Sequence, residues 1–120
     1  MAGTKLLLDE VTGITTSVTR SIRSAGTFTS ATFFADVTTA SGGTSTWDVI
    51  LSWASDDGNT IEIASPAAAI DSEATGLTEL VKATGFDAVK DAVPMPNVIR
   101  YTEASGTDAL TMKVYALVAQ

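Results

Sequence analysis

Residues 31–64, ATFFADVTTASGGTSTWDVILSWASDDGNTIEIA, decide the fold, because they contain three strand patterns separated by two polar turns. Between residues 46 and 54, Trp47, Val49, Leu51 and Trp53 alternate with smaller or polar residues. Successive side chains of a strand point to opposite faces, so this alternation places both tryptophans on one buried face. The turn at 40–44 consists of Ala, Ser, Gly and Thr, and the turn at 55–59 consists of Ser, Asp, Gly and Asn. The stretch predicts a three-strand meander.

The rest of the chain extends this pattern to about seven strands. They are predicted at 5–9, 18–23, 31–38, 46–54, 60–64, 97–103 and 109–118. Short strands with turn signals between them favour an all-β sandwich, and counting strands does not separate a jelly-roll from an immunoglobulin-like topology. The predicted core consists of Trp47, Val49, Leu51, Trp53, Ile61, Ile63, Tyr101, Leu110, Met112 and Val114.

Residues 65–96 are the least regular part of the chain. Apolar residues at 77, 80 and 81 have helical spacing, but a strand over 78–83 fits the same residues, and both interpretations stay open. A short helix is expected over 86–92, because a capping pattern precedes it and Pro94 stops it. The prediction is therefore one short helix or irregular insertion near 77–93.

Composition limits the function. The chain has 120 residues, which fit a single domain spanning 1–120, and it contains neither cysteine nor histidine. Thiolate sites are thereby excluded, and the commonest general base and metal ligand is missing. The net charge is −7 with scattered basic residues, which argues against nucleic-acid binding. No signal peptide and no apolar run of membrane-spanning length is expected.

Two motifs have a functional and a structural interpretation. Asp56-Asp57-Gly58-Asn59 offers oxygen ligands for calcium, but a hairpin turn explains all four residues and is favoured. Trp47 and Trp53 could form a sugar-stacking platform, but the core is favoured because they share a face with Val49 and Leu51. No catalytic, cofactor or metal site is predicted.

Four residues are candidates for a partner interface. Tyr115 and Leu117 make the second face of the last strand half apolar. We therefore expect this face to be covered by another chain or by the 65–96 segment. Arg20 lies between apolar residues on one face of its strand; it is either an arginine at the sheet rim or a subunit contact. Arg100 faces away from Tyr101. These residues favour a homo-oligomer.

Three pieces of the sequence together resemble the small β-sandwich virion structural proteins of tailed bacteriophages. The first is ADVTTASG at 35–42 with TWDV at 46–49, the second is SWASDDGNT at 52–60, and the third is IRY at 99–101 with Ser105-Gly106 and the final strand. The likeness lies in strand-and-turn order and covers about half of the chain.

This resemblance implies a non-enzymatic structural protein of the virion. It implies a capsid decoration protein, bound as a homo-oligomer to a major capsid protein or another virion protein, with no nucleic-acid or membrane partner. The alternatives are a tail, neck or fibre component. Similar Asp-Gly turns also occur in discoidin-like sandwiches, so a carbohydrate-binding module is the other interpretation.

Overall fold

The computed structural model describes residues 4–23, 26–28, 30–55, 57–83, 93–106 and 108–119. Within these residues the chain forms twelve strands and no helix. The strands are β1 Thr4–Ile14, β2 Val18–Ser21, β3 Thr27–Phe28, β4 Ser30–Thr39, β5 Thr46–Ala54, β6 Thr60–Ser65, β7 Ile70–Asp71, β8 Gly76–Glu79, β9 Val81–Lys82, β10 Val93–Pro94, β11 Val98–Ser105 and β12 Leu110–Ala119.

In the described part of the chain these strands build two antiparallel sheets. The first sheet has the order β1-β12-β4-β8; the second has the order β2-β11-β5-β6-β9, with β7 paired to the start of β5. The short strands β3 and β10 pair with each other. The two sheets share one core, so the predicted all-β sandwich is confirmed, and each of the seven predicted strands is present.

The core lies between the inner faces of the two sheets. The first sheet contributes alternate residues of β4 and β12, and the second contributes those of β5 and β11. The largest fully buried side chains are Trp47, Tyr101, Phe33, Leu51, Ile63, Met95, Ile99, Leu110, Met112, Val49, Val114 and Pro96. Burying each large apolar side chain is worth about 1.5–3 kcal/mol, so this layer is the main source of stability. The predicted core is confirmed for all but two of its residues.

The prediction was wrong for Trp53 and Ile61. Trp53 is 36% exposed and Ile61 is also exposed. The two residues lie directly opposite each other where β5 and β6 approach their connecting turn. Alternation decides which side of a sheet a residue faces, but it does not decide whether the other sheet extends over it. Trp53 therefore faces inward at an uncovered end of the sandwich.

β1 is longer and less regular than predicted. The strand predicted at 5–9 continues as β1 to Ile14. Gly13 has a φ of 61° inside the strand, and its N–H donates to Thr111 Oγ1 at 3.0 Å, so the glycine makes an irregularity rather than an end. Leu7 lies opposite Tyr115, whereas Asp9 lies opposite Val114. The extra residue between them is a β-bulge, and Asp9 is buried beyond it.

Residues 76–82 are extended rather than helical. β8 pairs with β4 in the first sheet, and β9 pairs with β6 in the second. Leu80 lies between them with its side chain buried, and its N–H donates to the Phe33 carbonyl at 2.8 Å. The segment thus passes from one sheet to the other. The helix expected over 86–92 lies outside the described residues.

Hydroxyl side chains hold the loops at one end of the sandwich. Ser45 and Ser72 are fully buried; Ser72 Oγ lies 2.9 Å from Ser41 Oγ, and Ser45 Oγ accepts from the Asp108 N–H at 2.6 Å. Gly106 has a φ of 82°, and a Cβ there would lie 2.5 Å from the Thr44 carbonyl oxygen. Small residues are therefore required at this end, which accounts for part of the high serine content.

Candidate functional site

The outer face of the first sheet carries Tyr115 and Leu117, the two candidate interface residues of β12. Tyr115 and Leu117 point away from the core, because Val114, Ala116 and Val118 are buried between and beside them. Tyr115 lies directly opposite Leu7 of β1 on one side and Phe34 of β4 on the other. The prediction that this face of the last strand is half apolar is confirmed. Within the described residues, the 76–82 segment borders this face rather than covering it.

Five residues of this face form the apolar patch, defined as Leu7, Phe34, Leu77, Tyr115 and Leu117. Leu7 is 54% exposed, Leu77 is 61% exposed and Leu117 is 45% exposed. Phe34 and Tyr115 are half-buried between them. An open groove of about 260 Å³ runs among these side chains, bordered by Lys5. Contiguous exposed apolar side chains of this kind mark interaction surfaces in soluble proteins.

Charged side chains of both signs surround the apolar patch. Lys5 Nζ lies 4.0 Å from the centroid of the Tyr115 ring, a cation–π contact. Lys113 lies opposite Asp36 on β4, and its Nζ is 4.0 Å from Glu10 Oε2 on β1. Glu79, which lies opposite Phe34, places a carboxylate on the β8 side of the patch. The rim is therefore polar, as in protein–protein interfaces.

Arg20 lies at the rim of the sandwich and is bound within its own chain. Its Nε donates to Asp9 Oδ2 at 2.7 Å, and the Tyr101 hydroxyl donates to the same oxygen at 2.8 Å. The Asp9 side chain is 7% exposed and that of Arg20 is 45% exposed. The hydrogen bond to Asp9 raises the pKa of the Arg20 guanidinium above its ordinary value. This network joins β1 of the first sheet to β2 and β11 of the second.

The Tyr101 hydroxyl gives a pH-dependent prediction. Burial, and then the charge of Asp9, raise the pKa of Tyr101 well above its ordinary value of 10.0. Above about pH 10 the unfolded chain loses this proton while the native chain keeps it, so the native state binds more protons. The contribution of the raised Tyr101 pKa to stability is therefore complete below about pH 10. Above this pH it declines by about 1.4 kcal/mol of unfolding free energy per pH unit.

Urea melts between about pH 8 and about pH 11 measure this decline. The wild type should lose stability with a slope that is steeper than that of Tyr101→Phe by one proton. Lysines titrate in both proteins, so the difference between the two slopes isolates the tyrosine. Parallel curves for the two proteins would contradict the assignment.

Arg100 lies on the other side of the molecule from the apolar patch. It is exposed on the outer face of the second sheet, opposite Ile50 of β5 and Thr19 of β2. The four sequence candidates therefore do not form one site. Tyr115 and Leu117 lie together, Arg20 joins the two sheets at the rim, and Arg100 belongs to a separate surface.

The turn after β5 uses its polar groups internally. Ser55 N–H donates to the Asn59 carbonyl at 2.8 Å, and Asn59 Nδ2 donates to Asp57 Oδ2 at 3.2 Å. Ser55 Oγ also donates to Asp57, and this hydrogen bond lowers the pKa of the Asp57 carboxyl. Gly58 supplies the positive φ of 89°. The described residues of the turn thus behave as hairpin chemistry predicts. Asp56 lies outside the described residues.

Sequence reasoning missed three members of the apolar patch. Alternation in the strand predicted at 31–38 puts Phe34 on the face opposite Phe33, but this pattern does not identify the cross-strand neighbours of Phe34. Leu7 is hidden in a run of three leucines, and Leu77 fitted a helical pattern. Strand register brings them together, and register is a long-range property that local periodicity does not contain.

A scan against protein-family models, a search of curated proteins and a search of solved structures each found no match to this chain. Among the described residues, no helix has the length and apolarity needed to cross a membrane. The same part of the chain contains no cluster of three acidic residues arranged to hold a metal ion.

Proposed function

We propose that this chain is a non-enzymatic structural protein of a virion, of the capsid decoration type, which acts as a homo-oligomer docked on a larger protein shell. The observation that carries the proposal is the apolar patch. It lies on the outside of a sheet whose inner face packs against the core, so the packing of the described residues does not account for it. Burial against protein is the use that its chemistry favours.

The chemistry of the patch fits a protein partner. An aromatic centre with leucines around it and a rim of charged side chains has the composition typical of interface cores and rims. Tyr115 offers a large apolar surface with little side-chain entropy to lose, and its hydroxyl tolerates partial exposure. The patch is also carried by paired strands rather than by loops, so it is rigid before binding.

The choice of a virion rests on the resemblance of the strand-and-turn order at 35–60 and 99–118. A capsid shell offers a repeated protein surface, on which a homo-oligomer gains affinity because its linked copies bind several equivalent positions at once. A tail, neck or fibre position uses the same type of contact and is the alternative within the same class.

Mixing the purified protein with tailed-phage heads tests the proposal. We expect saturable, stoichiometric co-sedimentation with heads, and we expect Tyr115→Ser combined with Leu117→Ser to weaken it at least about tenfold, because the loss of two apolar contacts removes more than 1.4 kcal/mol. Ile61→Ser is the matched control, since Ile61 is a similarly exposed aliphatic residue outside the patch. Failure to bind heads, with binding to tail tips, would move the protein to the tail class; failure with every particle would contradict the virion role.

A carbohydrate-binding module is the second candidate, and the exposure of Trp53 favours it. The indole lies beside Ile61 at the open end of the sandwich, next to the polar turn at 55–59. An accessible aromatic ring beside polar groups can stack on a sugar ring. A glycan array distinguishes the two candidates: sugar binding that disappears in Trp53→Ala, without head binding, would favour this module.

A further inference from the structure

We infer that the apolar patch is the contact between two copies of this chain, related by a two-fold axis that runs parallel to the strands between β12 and β4. This inference rests on the proposed assembly role of the patch and names its partner. A two-fold axis in that position lays β12 of one copy over β4 of the other, and β1 over β8. Face-to-face packing of sheets with nearly aligned strands is a standard arrangement in β-proteins.

The strand register makes the face complementary to itself under this operation. Within one chain, Tyr115 lies directly opposite Phe34, and Leu117 lies directly opposite Thr32. Exchange of the two strands by the axis therefore places each Tyr115 over the partner's Phe34 and each Leu117 over the partner's Thr32. Every such contact occurs twice, as a two-fold contact requires.

The charges at the rim fit the same operation. Lys113 lies directly opposite Asp36 within the sheet, so each lysine comes to lie over the partner's Asp36. Lys5 lies opposite Leu117 and Glu79 lies opposite Phe34, so these two residues are at different levels and the axis does not set one over the other. The two equivalent contacts between Lys113 and the partner's Asp36 are the opposite charges that meet, and they favour this register over others.

The total charge of the molecule selects the same face. Two chains that each carry a net charge of −7 repel one another, so self-association needs a face with little net charge. The apolar patch is bordered by Lys5 and Lys113 against Glu10, Asp36 and Glu79, which makes it nearly neutral. The two-fold axis exchanges the positions of Lys113 and Asp36, which carry opposite charges. Binding of an unrelated protein would not require this arrangement.

Sedimentation velocity over a concentration series tests the contact. We expect the wild type to sediment with the mass of two chains at high concentration. Lys113→Glu sets like charges against the partner's Asp36 at two positions, and Asp36→Lys sets like charges against the partner's Lys113 at two positions. Each variant alone should raise the dimer Kd by at least about tenfold.

An equal mixture of the two variants is the discriminating measurement. A heterodimer of Lys113→Glu with Asp36→Lys again has opposite charges at both positions, so the mixture should recover the dimer mass. Each change also alters a neighbour pair inside its own chain, and mixing does not repair that effect. Thermal melts of both variants establish that the domain remains folded.

Three results would overturn the inference: a wild type that stays monomeric, a dimer that neither variant weakens, or weakened variants that do not recover on mixing. Head binding is measured separately. A dimer that recovers on mixing but ignores phage heads supports this contact while contradicting the virion role. A monomer that binds heads only with an intact patch assigns the patch to the shell and overturns the two-fold contact.

Discussion

Replacing Trp47 by alanine is expected to lower the free energy of unfolding by about 3–5 kcal/mol. The indole is fully buried between the two sheets, directly opposite Ile70 on one side and Glu103 on the other. Within the described residues its Nε1 has no hydrogen-bond partner, so the expected loss comes from packing and from the cavity left behind. Urea unfolding followed by circular dichroism measures it.

Trp53 is the matched control, because it is the same residue type on the same strand. Trp53→Ala should cost only about 1–2 kcal/mol, since solvent already reaches the indole. Fluorescence separates the two residues further: the Trp53 emission that remains in Trp47→Ala should be quenched by iodide, and the Trp47 emission in Trp53→Ala should be protected. Equal stability losses would mean that the uncovered end of the sandwich is wrongly placed.

Replacing Asp9 by alanine should lower the free energy of unfolding by about 2–4 kcal/mol. The change removes the acceptor of two hydrogen bonds and leaves the Tyr101 hydroxyl buried without a partner. The Arg20 side chain is half exposed and can return to water, so the buried hydroxyl carries most of the cost.

Chemical denaturation of two further variants checks the origin of this loss. Asp9→Asn keeps an acceptor oxygen for Tyr101 and should recover part of the stability. Glu10→Ala is the neighbouring acidic residue with only a distant ion pair to Lys113, and it should change stability by less than about 0.5 kcal/mol. If Asp9→Ala cost no more than Glu10→Ala, the network would have no role in joining the sheets.

Much of the fold could be predicted from local alternation. The inward positions of β5, β11 and β12 follow a period of two without interruption, and they were assigned correctly from Trp47 to Leu51 and from Leu110 to Val114. These strands are central in their sheets, so side chains on the inner face are covered along most of their length. Pattern and burial therefore agree there.

The errors occur where tertiary context overrides the pattern. Gly13 suggests a turn, but a ladder to β12 carries the strand through it. Leu77 and Leu80 have helical spacing, but they lie in extended chain, where residues three apart face opposite sides, and one is exposed while the other is buried. Trp53 alternates correctly but lies beyond the covering sheet. A short stretch of sequence does not indicate where the chain crosses between sheets or how far the opposite sheet extends.

The candidate site could be predicted only in part. Tyr115 and Leu117 could be identified because a long strand with apolar residues on both faces is expected to be buried on both faces. Their neighbours Leu7, Phe34 and Leu77 come from three other strands, and only register joins them. Arg20 lies at the rim, which is one of its two interpretations, but its partner Asp9 was not predicted, since the bulge that buries the carboxylate has no signature in the sequence.

That bulge explains why Leu8 and Asp9, which are consecutive in the chain, both lie on the inner side of β1. Leu8 has no partner on β12, whereas Leu7 and Asp9 lie opposite the consecutive residues Tyr115 and Val114, so a chain without Leu8 would form a regular ladder with Asp9 still facing inward. If the ladder became regular without the loss of a residue, strict alternation would instead turn the carboxylate of Asp9 to solvent and Glu10 into the core. Among related chains we expect position 8 to stay apolar, because Leu8 packs against the core, and we expect chains that lack the bulge to lack one residue between Lys5 and Asp9 as well. The bulge and the extra residue should therefore appear and disappear together.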